Sequence, residues 1–73
     1  MAKMEVKETM DRARFAQLLR QCADAIEGDR DFTLTLHGQQ ITTHPQGKME
    51  VEYEIEKDGE HELEFEIKWR EAA

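Results

Sequence analysis

The sequence predicts an α+β fold: one amphipathic helix packed on one face of a mostly antiparallel four- or five-stranded sheet, in the order β-α-β-β-β-β. Three observations carry it. From Met49 to Trp69 apolar and acidic residues alternate with a period of two, the mark of half-buried strands. Between residues 11 and 28 the apolar residues recur at helical spacing instead. Glycine-bearing turns separate the alternating runs, and each can be set so that apolar side chains share one face.

Residues 3–8 alternate as Lys3, Met4, Glu5, Val6, Lys7, Glu8 and predict a short strand with Met4 and Val6 inward. It could flank either the strand that begins near Phe32 or the last strand. The last is favoured, because Lys3 and Lys7 would then lie beside the column Glu60 to Glu66. A helix follows. Asp11 suits its N-cap, and Met10 with Phe15 fits a hydrophobic staple. Phe15, Leu18, Leu19, Cys22 and Ile26 fall on one helical face, and four alanines support the helix. Arg12, Arg14 and Arg20 read as its solvated side, and Gly28 as the left-handed residue that ends it.

Phe32, Leu34 and Leu36 form the inward face of the next strand, and Ile41 with Thr43 that of the one after. A two-residue type II′ loop at Gly38-Gln39 would set Leu36 opposite Ile41. A turn at Pro45-Gln46-Gly47 would then set Thr43 opposite Met49 and Ile41 opposite Val51, completing a meander. In the final hairpin a two-residue loop would place Ile55 against Glu62. A three-residue loop, Lys57-Asp58-Gly59, places Ile55 opposite His61, Tyr53 opposite Leu63, Val51 opposite Phe65 and Met49 opposite Ile67. Tyr53, Phe65 and Trp69 are thereby expected in the core beneath the helix.

The segment Glu62-Leu63-Glu64-Phe65-Glu66-Ile67-Lys68-Trp69, an acidic and apolar alternation ending in tryptophan, resembles the C-terminal strand of the amphi-Trp domain family. The helix from Phe15 to Gly28 is similar to the family's glycine-terminated helix. Asp11 with Arg14 stands where the family pattern is a Ser-x-x-Glu capping box. The resemblance covers nearly the whole chain. It implies a small prokaryotic domain and carries over no activity and no catalytic residues.

Seventy-three residues make a single domain, 1–73, with room for one small core. The net charge of −7 is concentrated in residues 48–73, which hold ten acids against four bases. Such a surface repels phosphates, so neither nucleic acid nor anionic membrane is an expected partner. The single cysteine, Cys22, excludes an internal disulfide, and no signal or membrane-spanning run is visible. A cytoplasmic protein is expected.

The same register puts Glu50 opposite Glu66, Glu52 opposite Glu64, and Glu54 opposite Glu62 on the outer face. These six glutamates are the candidate binding residues. The expected function is a non-catalytic interaction module that docks a basic protein partner through this acidic face or through an open strand edge. A monomer or a weak homodimer through a sheet edge fits the same class. The alternatives are a small metal-dependent or catalytic protein, or a purely structural acidic domain adapted to high salt. No catalytic residues, metal ligands or cofactor can be assigned: a flat ladder spreads its carboxylates too widely for calcium. His37, His44 and His61 read as separate surface or rim residues, and Cys22 as a small apolar residue on the buried helix face.

Overall fold

The computed structural model describes residues 3–71. It holds one helix, α1 (Arg12–Gly28), and four strands, β1 (Phe32–Leu36), β2 (Gln39–Thr43), β3 (Lys48–Ile55) and β4 (His61–Lys68). The class is α+β, as the sequence predicts. The strands form two separate antiparallel hairpins, β1-β2 and β3-β4, rather than one meander.

Helix α1 starts where the sequence places it. The Asp11 side chain accepts a 2.9 Å hydrogen bond from the Arg14 backbone N–H. It ends one residue later than predicted: Asp29, not Gly28, takes the left-handed conformation at φ 53°. The Asp29 N–H donates to the Ile26 carbonyl and the Arg30 N–H to the Ala25 carbonyl, which satisfies the last turn. Aspartate is among the few residues besides glycine that tolerate this region.

No strand forms at residues 3–8, and the segment does not join β4. It is held at the β1-β2 turn instead. Glu8 accepts from the His37 backbone N–H at 2.7 Å, and the His37 ring bonds the Lys7 carbonyl at 2.6 Å. Glu8 also pairs with Arg14, which in turn donates to the Thr35 carbonyl. Arg14 therefore ties the helix start to β1 rather than lying on a solvated face.

The loop between β1 and β2 is His37-Gly38, not Gly38-Gln39. Both residues have positive φ, 49° and 75°, as a type I′ turn requires. Leu34 thus opposes Ile41, and Phe32 opposes Thr43. The predicted pairing of Leu36 with Ile41 is off by two residues. A two-residue slip leaves every side chain on its original face, so alternation alone could not detect it.

The predicted β2-β3 pairing is absent. Pro45 has no N–H to give to a ladder, and it is buried at the corner. Gly47 takes the expected left-handed conformation, φ 85°, but serves another purpose. A Cβ there would lie 2.5 Å from the Lys68 carbonyl oxygen, so glycine lets the corner close against the end of β4. The β3-β4 hairpin itself forms as predicted. Its register runs from Met49 opposite Ile67 to Ile55 opposite His61. The loop closes with Glu56 N–H on the Glu60 carbonyl and Gly59 at φ 91°.

Separate hairpins leave the helix unable to roof both. α1 lies against β1. On the other side, Leu19, Cys22, Ala23 and Ile26 face Met49, Val51, Phe65 and Ile67 across an open cavity of about 450 Å³. The apolar face of the hairpin is bare both there and beyond the cavity, with Val51 65%, Phe65 64% and, towards the tip, Tyr53 60% exposed. The expectation of a core beneath the helix is corrected for these residues; Trp69 is half-buried. Among the described residues only Ala25 and Pro45 are buried. The radius of gyration, 14.2 Å, exceeds the roughly 11 Å of a compact chain of this length.

Candidate functional site

The six predicted glutamates come from two strands whose alternation forces them to one side. The pairs Glu50-Glu66, Glu52-Glu64 and Glu54-Glu62 stand directly opposite one another. Four of them, Glu50, Glu52, Glu64 and Glu66, line a shallow concavity of about 190 Å³ on the face away from the helix. The root of the ladder is partly neutralised: Lys48 reaches Glu50 at 2.7 Å and Lys68 approaches Glu66 at 3.9 Å. Towards the tip there is no such help. Among the described residues Glu52, Glu54, Glu62 and Glu64 have no ion-pair partner.

The consequence is visible in the acidities. A hydrogen bond to Glu62, then the charge of Glu62, raises the Glu64 carboxyl above the ordinary carboxylate value, with Glu52 and Glu66 adding to it. A hydrogen bond to Glu56 raises Glu54, assisted by slight desolvation and by the charges of Glu52 and Glu62. Carboxylates so placed share protons or recruit cations more readily than isolated ones.

Other polar groups gather away from the ladder. His44 sits between two carboxylates, its Nδ1 2.9 Å from Asp31 and its Nε2 2.8 Å from Asp29. The hydrogen bonds to Asp31 and Asp29 raise its pKa above the ordinary value. This cluster was invisible in the predicted register, which set His44 against Thr33. In the observed register, extending the Phe32-Thr43 pair by one step brings Asp31 to His44. Glu8 is shifted the other way, below the usual carboxylate range, chiefly by the His37 backbone hydrogen bond and then by Arg14. At the far end of the hairpin the Tyr53 hydroxyl meets the His61 Nδ1 at 2.5 Å. Partial burial raises the thiol of Cys22, so no activated nucleophile stands there. Among the described residues no three His, Cys, Asp or Glu side chains converge as metal ligands. Among the described residues no helix is long and apolar enough to cross a membrane.

The family model of the Amphi-Trp domain matches residues 1–73, the whole chain. The chain belongs to the Amphi-Trp domain family. No curated protein and no solved structure matches this Amphi-Trp domain.

Proposed function

We propose that this Amphi-Trp domain is a non-catalytic interaction module that docks a basic protein partner on the acidic face of its C-terminal hairpin. One observation carries the reading: four glutamates towards the hairpin tip oppose one another and, among the described residues, have no ion-pair partner. Like charges set directly opposite destabilise a sheet. Lysine or arginine side chains from a partner would relieve that repulsion on contact, so association and hairpin stability would rise together. Cationic side chains beside them would draw the raised acidities of Glu54 and Glu64 back towards the ordinary carboxylate value. A cytoplasmic setting belongs to the same reading, since a lone free cysteine suits a reducing compartment.

Titration with a lysine-rich peptide, followed by calorimetry at low and at moderate salt, tests it. Binding that weakens steeply with salt is expected. The double variant Glu52→Lys with Glu62→Lys should weaken binding at least about tenfold while melting no lower than the wild type, because it sets a lysine opposite Glu64 and another opposite Glu54 and so replaces repulsions by attractions. The same charge change made on the helix, Asp24→Lys with Glu27→Lys, should matter much less. Equal loss from both double variants would mean that the peptide senses only net charge, and the docking face would be rejected.

A further inference from the structure

The apolar face of the same hairpin has no cover, and its extent says what kind of cover it takes. We infer that this face is the interface of a homodimer, in which the β3-β4 hairpins of two copies pack apolar side to apolar side. This inference is independent of any use of the acidic face.

The first support is surface area. The chain exposes 6791 Å². A compact protein of 8.6 kDa exposes about 4,700 Å² by the usual scaling of surface with mass. The excess, roughly 2,000 Å² per chain, falls within the ~1,000–2,500 Å² that each partner of an obligate homodimer removes from water. The second is composition. Val51, Tyr53, Ile55, Leu63 and Phe65 lie on one face of paired strands, each about three-fifths exposed. Together with Met49 they form one apolar stripe on the order of several hundred Å², the size at which an exposed patch marks an interaction site.

The shape of the patch selects a second copy over a small apolar ligand. A ligand filling the cavity beside α1 would touch Met49, Val51, Phe65 and Ile67 but leave Tyr53, Ile55 and Leu63 in water, since these lie beyond it towards the tip. Another flat hairpin face covers the whole stripe. Two sheets stack about 10 Å apart with interdigitating side chains, and a two-fold arrangement lets one patch serve both partners. Charge permits it. The glutamates of each hairpin point away from the shared face, so the two acidic ladders end on opposite outer sides of the sandwich. The core is the third support: with Ala25 and Pro45 alone buried among the described residues, one chain has little to hold it folded, and a second copy supplies the missing contacts.

Sedimentation velocity over a hundredfold concentration range tests the inference on the unaltered chain. A species of twice 8.6 kDa is expected, with a melting temperature that climbs with concentration. A single-chain mass at every concentration, with a melting temperature that does not move, overturns it. The variant Leu63→Gln with Val51→Thr keeps strand propensity and should weaken dimerisation at least about a hundredfold. Should that variant fail to fold, mixed isotope labelling of the wild type decides. Contacts between the Val51 and Leu63 methyls of different chains are expected. A dimer lacking them would use a strand edge, and a monomer that takes up a small apolar probe in the helix cavity would use the face as a ligand site. Either result rejects the sandwich.

Discussion

His44 shows how much a single side chain can decide. It is tied to Asp31, where β1 begins, and to Asp29, the residue that ends α1, so one imidazole joins helix end, strand start and the β2 exit. Its pKa is raised, so the charged form is favoured in the folded chain. The stabilisation is complete below the unfolded value near 6.5 and disappears as pH rises through the folded value. His44→Gln should therefore melt below the wild type at about pH 6, with the gap narrowing by about pH 9. Thermal melts of both proteins at the two pH values check this; a gap of equal size at both would mean that only neutral hydrogen bonding matters. Asp29, Asp31 and His44 are all plain in the sequence. Their meeting is not, because apolar alternation fixes register only to within two residues. The latch of His37 on Glu8 and Lys7, which accompanies the shorter loop, joins residues 29 and 30 positions apart and leaves no periodic trace.

At the scale of elements, the helix and the last hairpin were legible because each carries redundant signals. Period, cap and turn agree for α1, and period, loop length and apolar pairing agree for β3-β4. The join between β2 and β3 had one signal only, the Pro45-Gln46-Gly47 turn, and a proline-glycine corner serves a hairpin and a change of sheet equally well. Likewise residues 3–8 had alternation without a turn to fix a partner. Gly47 gives the corner a direct test. Its φ of 85° and the 2.5 Å approach of the Lys68 carbonyl to any Cβ make Gly47→Ala strained on two counts. A loss of about 1–3 kcal/mol is expected from backbone strain of this kind. Gly38 also has positive φ, yet a Cβ there meets nothing within 4 Å, so Gly38→Asn should cost much less. Urea denaturation of the two variants separates the cases. Equal losses would show that conformation alone counts, and that the corner does not press on β4.

For the molecule as a whole, electrostatic terms of opposite sign fix a pH optimum. The acidic ladder was readable from parity, and its raised acidities follow from the register. A carboxyl whose folded pKa is raised binds its proton more tightly in the folded chain, so stability falls as pH rises through that value. Glu54, Glu64 and His44 all act in this direction. Glu8 acts in the other: its pKa is lowered, so its contribution is present above the ordinary carboxylate value of 4.5 and is lost as pH falls through the folded one. Stability should therefore climb as pH drops from about 8 to about 5, then fall in stronger acid as the Glu8 contacts to His37 and Arg14 are protonated away. Moderate salt should flatten the alkaline limb by screening the ladder. Glu64→Gln should flatten it too, by removing one of the crowded charges, while leaving the acid limb unchanged. Melting temperatures of wild type and Glu64→Gln across this range provide the measurement. A wild-type profile that rises steadily from pH 5 to 8 would mean that the ladder's repulsions are relaxed by solvent, and that its glutamates impose no cost for a basic partner to relieve.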